Sequence, residues 1–189
     1  MRLGVAITGA SGAIFGIRAL ESLKALDIET HLVVSRWSRT TIRHETDYTL
    51  AQVEQLASFV HHEDNQSAPI SSGSFKTDGM IIAPCSMNTL SPIRVGYSDT
   101  LICRAADVTL KERRKLVLLT RESPFSELHL ENMLALTRMG AVIFPPVPAF
   151  YTLPKNIDDM VCQIVGRLLD QFGLDMPGVS RWSGFDPDA

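Results

Sequence analysis

A chain of 189 residues is long enough for one domain with a sizeable core. Its 45% hydrophobic and 21% charged content excludes a disordered or collagen-like chain, and a formal charge of -3 carries no polyanion-binding signature, so nucleic acid is not an expected partner. Three cysteines without CxxC spacing (Cys85, Cys103, Cys162) point to a reducing compartment and no metal site, and no apolar run is long enough for membrane insertion. In chain order, "MRLGVAITGAS" moves directly into a strand and a glycine turn, without the apolar core and cleavage site of a signal peptide, so the expected location is cytoplasmic. The strand "RLGVAIT" leads through that turn into a helical pattern, "GIRALESLKAL". A second strand, "ETHLVVS", precedes two stretches of helical spacing, "RTTIRHE" and "LAQVEQLASFV". "HHEDNQSAPISSGSFKTDG" reads as irregular, "GMIIAP" as the third strand and "DTLICRAADVTLKERR" as a helix. "KLVLLTR", "ELHLENMLALTRMG" and "AVIFPP" continue as strand, helix and strand. The proline-rich "PPVPAFYTLPK" then leads to an amphipathic helix, "NIDDMVCQIVGRLLDQFG", with an Asn cap and a stop at Gly173. Residues after about 174 read as a C-terminal tail.

Nearly continuous apolar strands alternating with helices define the expected fold: α/β, a doubly wound parallel sheet of Rossmann or flavodoxin-like type, in a single domain over 1–189. Such folds bind ligands beyond the carboxyl ends of their strands. Those places hold Gly9-Ala10-Ser11-Gly12, then Ser35-Arg36, then Cys85-Ser86-Met87-Asn88-Thr89, then Arg121-Glu122, then Pro145 onward. Amides at helix N-termini and a guanidinium fork suit phosphate oxygens. The bland alternative is that the Ser, Asn and Thr residues merely cap helices. The first turn is not GxGxxG, and no acidic residue follows the second strand where the ribose of NAD would need one, which disfavours NAD, while Arg36 there leaves NADP open. Tyr151 and Lys155 match YxxxK, but Pro154 between them breaks the helix that dehydrogenase chemistry requires. Ser11 is followed directly by Gly12, so the turn is no GxSxG nucleophile elbow either. A mononucleotide such as FMN fits better than a dinucleotide.

The stretches "TGASGA", "ETD" at 45–47, "SSGSF", "PCS", "NTLS", "RAADVTLKERR", "LVLLTRESPFSELHLENM", "GAVIFPPVPAFY" and the late "RW" cover almost the whole chain. On these motifs it resembles the UbiX family of flavin prenyltransferases, once described as aromatic acid decarboxylases. The resemblance implies a flavodoxin-like fold and a dodecamer. It also implies transfer of a dimethylallyl group from dimethylallyl phosphate to reduced FMN, giving a cofactor for a UbiD-type decarboxylase. It places Gly9, Ala10 and Ser11 on the FMN, Ser11 near the reacting ring, and Ser35 on the FMN phosphate. It sets Ser86, Met87, Asn88, Thr89 and Arg121 along the flavin. Arg104, Lys111, Arg121, Tyr151 and Arg167 would surround the prenyl phosphate, with Trp182 near the prenyl pocket. Glu45 and Glu122 would serve prenyl transfer and proton movement. Two departures bear on the shape of that pocket: no aromatic residue precedes "SGS" near Gln66, and "CSMNTLSPIRVG" is bulkier over Met87 to Arg94 than the common pattern.

The residues can be weighed against the chemistry independently. A departing phosphate needs cations and proton donors placed around it in advance. Arg104 and Lys111 are seven apart, so on a helix they return to within roughly 20° of one face. They equally make a solvated basic face paired with Asp107 and Glu112. Glu45 and Glu122 are candidate proton carriers, and Glu45 equally reads as a surface carboxylate at a helix end. Cys85 reads as a small core residue. His44, His61, His62 and His129 show no metal-ligand spacing, and a monophosphate leaving group requires no metal. Two alternatives stay open: an FMN-dependent decarboxylase of cysteine-type substrates, using a His and an Asn-containing loop (His44 and Asn88 here), and a non-catalytic flavin-binding partner.

Overall fold

Val, Ile and Leu dominate the central strands, where β-branched side chains pack well on a pleated surface. The strands are β1 (Arg2–Ile7), β2 (Glu29–Val34), β3 (Phe59–His61), β4 (Gly79–Cys85), β5 (Lys115–Thr120) and β6 (Val142–Ile143). All pair in parallel, in the order β3-β2-β1-β4-β5-β6. The order reverses between β1 and β4, which makes the crevice beyond their carboxyl ends the switch point where such sheets take ligands. The computed structural model describes residues 1–184; the last five residues of the expected tail, 185–189, lie outside the described residues.

Among the described residues seven α-helices flank the sheet: α1 (Ala13–Ala25), α2 (Ser38–Glu45), α3 (Leu50–Glu54), α4 (Met87–Val95), α5 (Leu101–Lys111), α6 (Glu127–Arg138) and α7 (Ile157–Leu169). Alternate strand residues feed two cores. Val5, Ile7, Ile81 and Val117 pack with residues of α1 and α7. Ala6, Met80, Ile82 and Leu118 pack with residues of α4, α5 and α6. β4 is buried along its full length, as expected of a strand covered on both sides. Gly16 lets α1 lie directly on the sheet: a Cβ there would come within 2.2 Å of the Ala83 carbonyl oxygen. α7 opens at Asn156, whose side chain accepts from the Asp159 N–H.

Two segments differ from the sequence expectation. The stretch "LAQVEQLASFV" is helical only to Glu54; Phe59–His61 then pairs with His31–Val33 as a short edge strand. Pairing with β2 overrides the helical spacing there, and no Gly or Pro marks the change. The second difference is α4, which the sequence reading did not assign. Pro92 lies inside it and removes one helical N–H, yet Ser86 caps its start and Gly96, at φ 72°, ends it.

At the amino ends of the strands, away from the crevice, Arg2 binds both Glu29 carboxylate oxygens and its N–H donates to Asp78 at 2.6 Å. The Arg2 hydrogen bond, then that of His31, pulls the Glu29 pKa down from 4.5 to about 2. A carboxyl depressed on folding stabilises the fold above its unfolded pKa, and that contribution is lost as pH falls from about 4.5 toward 2. The pair is a third exposed, so its effect is modest. Glu29→Gln is expected to melt below the parent at pH 7, with the gap closing as the pH drops through that window. A gap that persists at pH 2 in thermal melts would refute this account.

Candidate active site

Beyond β1 and β4 lies a cleft of about 630 Å³, within the usual range for small-molecule sites. Three helices start on its wall, and their N-cap residues Trp37 (α2), Ser86 (α4) and Thr100 (α5) all line it. Helix N-termini carry partial positive charge and unpaired N–H groups, so the wall favours an anionic group. The Ser86 hydroxyl accepts from the Thr89 N–H at 3.2 Å, and Thr100 Oγ1 from the Cys103 N–H at 3.3 Å. Ser35 Oγ accepts from the Ser38 N–H at 3.3 Å. These hydroxyls therefore cap helices, as the bland reading has it, and the same residues face the cleft. Buried Thr8 fixes the crevice floor: its hydroxyl donates to the Pro84 carbonyl at 2.8 Å and accepts from the Ser86 N–H at 2.9 Å. Glu63, Asp64 and Asp99 form an acidic side, where Glu63 Oε1 accepts from the Arg36 N–H at 2.9 Å.

Of the residues expected on the flavin, Gly9, Ser35, Ser86, Asn88 and Thr89 line this cleft. Ala10 and Met87 are buried, and Ser11 and Arg121 are exposed outside its lining. Glu122 is half-buried and its carboxylate accepts from the next residue's N–H, Ser123, at 3.0 Å. The glycine turn itself is already occupied by an anion of the chain. Glu45, the last residue of α2, accepts from the Gly12 N–H at 2.7 Å and the Ala13 N–H at 3.3 Å, both on its Oε2. Glu45 is thus a helix-end carboxylate and, at once, a neighbour of Ser11 at the start of α1.

The expected prenyl-phosphate residues divide between the two helical layers. On α5, Arg104 pairs with Asp107 at 2.9 Å and donates to the Ser71 carbonyl at 3.0 Å, and Lys111 pairs with Glu112, the partners the bland reading names. On the α1/α7 side, Arg167 pairs with Asp170 at 2.6 Å. Two guanidinium nitrogens of Arg181 also bind Asp170, holding its carboxyl below the usual range. Tyr151 meets Trp182 edge to face at 5.4 Å between centroids, and Gln163 reaches its hydroxyl at 3.5 Å. Tyr151 and Lys155 share no helix, since 150–152 form a single 3₁₀ turn and Leu153 turns left-handed at φ 50°. One chain therefore holds Arg104 and Lys111 on one sheet face and Tyr151 and Arg167 on the other, with Arg121 directly after β5.

Burial raises the thiol pKa of Cys85, which is fully buried, and of Cys103, so neither is a ready thiolate. Among the described residues no group of three or more His, Cys, Asp or Glu is arranged to hold a metal ion. The sequence reading missed Thr8, Trp37, Glu63, Tyr97 and Thr100. Thr100 carried a usable signal, as a cap residue directly before the apolar run "LICRAA". Thr8 and Glu63 carried none, because their partners lie far away in the chain.

An all-parallel doubly wound sheet with a cleft at its switch point is the architecture of a ligand-binding α/β protein. Residues 1–169 match the family described as Flavoprotein. A probable UbiX-like flavin prenyltransferase of Bacillus subtilis is 60% identical over 186 residues, 98% of this chain and 91% of the relative. The crystal structure of AnUbiX (PadA1), in complex with FMN and dimethylallyl pyrophosphate, superposes with a TM-score of 0.97 at 56% identity, covering 98% of each chain. A dodecameric FMN-dependent UbiX-like decarboxylase from Escherichia coli O157:H7 superposes at 0.96, also 56% identical, over 97% of this chain and 100% of that one. The chain belongs to the flavoprotein family and, within it, to the UbiX-like flavin prenyltransferases. Among the described residues no helix is long and apolar enough to cross a membrane.

Proposed function

We propose that this protein joins a dimethylallyl group from dimethylallyl phosphate to reduced FMN, and that the prenylated flavin serves a UbiD-type decarboxylase in the cytoplasm. The observation that carries the reading is the switch-point cleft on which three helix N-termini converge. Reduced FMN supplies the nucleophilic ring atoms. The chain's own residues bind, orient and move protons. Ser35 holds the FMN phosphate, and Gly9, Ala10, Ser86, Met87, Asn88, Thr89 and Arg121 lie along the flavin. Ser11 and Glu45, beside the glycine turn, face the reacting ring, where Glu45 takes a proton. Glu122 assists, beside Arg121. Arg104, Lys111, Arg121, Tyr151 and Arg167 neutralise the departing phosphate, and Trp182 shields the prenyl group. The two halves of that set meet across subunits of a dodecamer, an assembly supported by the dodecameric E. coli relative.

The test is anaerobic incubation with reduced FMN and dimethylallyl phosphate, followed by the mass of the extracted flavin. A shifted mass supports the reading; an unchanged mass with FMN bound leaves a flavin carrier or a decarboxylase. Dimethylallyl pyrophosphate, the compound in the AnUbiX complex, is the second donor to supply. The cysteine-decarboxylase alternative needs His44 beside Asn88. Asn88 lines the cleft, but His44, exposed on α2, does not.

Within this reading Tyr151→Phe and Arg167→Ala leave FMN binding intact and raise the requirement for the prenyl phosphate. Each loses a hydrogen bond to a charged group, on the order of 1.5–3 kcal/mol. Donor titrations at fixed FMN check this, and loss of FMN from either variant would mean that these side chains serve the other phosphate.

A further inference from the structure

Trp37 is 67% exposed, yet it stands on the cleft wall at the start of α2. It is also held in place. A Cβ on Gly9 would come within 2.5 Å of Trp37 Cδ1 and 2.9 Å of its Cβ, so the indole rests directly on the backbone of the first turn. The chain on either side is pinned: the Arg36 N–H donates to Glu63 at 2.9 Å, and the Ser38 hydroxyl donates to the Ile7 carbonyl at 2.7 Å. A large apolar plane fixed by its surroundings but left in water is a surface prepared for something to cover it.

Two occupants are available, a second copy of the chain or the ligand of the cleft. The cleft favours the ligand. The indole shares this wall with the helix N-termini suited to a phosphate, and FMN joins a flat apolar ring to one phosphate through a hydroxylated chain. We infer that Trp37 is a wall of the flavin site, that bound FMN packs against its indole, and that residue 9 is glycine because the indole needs its place. This rests on the FMN reading proposed above. It makes Trp37 a binding residue outside the set that the sequence motifs pointed to.

The test compares the parent with Trp37→Phe and Trp37→Ala. FMN affinity is measured by flavin fluorescence, acrylamide quenching of tryptophan emission is measured with and without FMN, and subunit mass is measured by light scattering. Trp37→Ala is expected to weaken FMN binding about tenfold or more, and Trp37→Phe, which keeps an aromatic plane, by less than about threefold. FMN should shield tryptophan from acrylamide in the parent, and that shielding should be smaller in Trp37→Phe, where Trp182 alone emits. Unchanged FMN affinity in Trp37→Ala overturns the inference alone. So does a fall in subunit mass in that variant, which would assign the indole to a contact between copies. A parent that binds no FMN overturns the functional reading and this inference together.

Discussion

Glu45→Gln is expected to bind FMN and the prenyl phosphate while forming product about 100-fold more slowly. The geometry separates the two effects. Both hydrogen bonds from the turn, from the Gly12 and Ala13 N–H groups, fall on one carboxylate oxygen. The amide oxygen of Gln can accept both, so the turn keeps its shape. The variant loses a negative charge at the N-terminus of α1, which is worth about 0.3–1 kcal/mol and is too little to unfold a domain. It also loses the ability to take a proton beside Ser11, which is the loss that slows product formation under the role proposed above for Glu45. Single-turnover conversion of reduced FMN under anaerobic conditions, with flavin occupancy checked, is the measurement. Parent-like turnover would leave Glu45 as a helix cap alone.

Gly16→Ala is expected to destabilise the fold by about 1–3 kcal/mol and to lower FMN occupancy with it. The added Cβ would lie 2.2 Å from the Ala83 carbonyl oxygen and 2.7 Å from Ile7 Cγ1. The first is backbone of a strand buried along its full length and cannot yield as a flexible side-chain end would. α1 must lift away from β1 and β4 instead. The helix begins at Ala13, directly after the turn that carries Gly9, so lifting it shifts the edge of the cleft. Urea unfolding and FMN titration of the same preparation check both parts. A change in stability under about 0.5 kcal/mol would show that α1 does not bear on the sheet at this point.

The strands that frame the cleft were legible because burial on both faces leaves nearly continuous apolar runs such as "GMIIAP". Their carboxyl ends pointed to a larger set, of which Gly9, Ser35, Arg36, Ser86, Asn88 and Thr89 line the cleft while Ala10, Ser11, Met87, Arg121 and Glu122 do not. What sequence could not show were contacts between distant segments. In sequence Glu45 is equally a proton carrier and a helix-end carboxylate, and its contact with a turn more than 30 residues earlier shows only once α2 folds back. α4 went unassigned; it contains Pro92, which local propensity disfavours and tertiary packing tolerates. The FMN and UbiX assignment came from motifs, and it agrees with the family match. The same motifs listed the phosphate cations without showing that one chain divides them between two faces of its sheet.

The place of β1 between β2 and β4 has a consequence for how the chain is made. Leu3 pairs with Thr30 on one side and with Gly79 on the other. The first partner arrives early in synthesis, and the second only after the whole "HHEDNQSAPISSGSFKTDG" segment has passed. Parallel pairing over such separations forms slowly, because long loops must close before contacts reward them. The residues that line the cleft run only as far as Cys103, whereas α7, which packs on α1 behind the glycine turn, begins more than 50 residues later. A growing chain therefore lines its cleft before it completes the helical layer that packs behind the glycine turn.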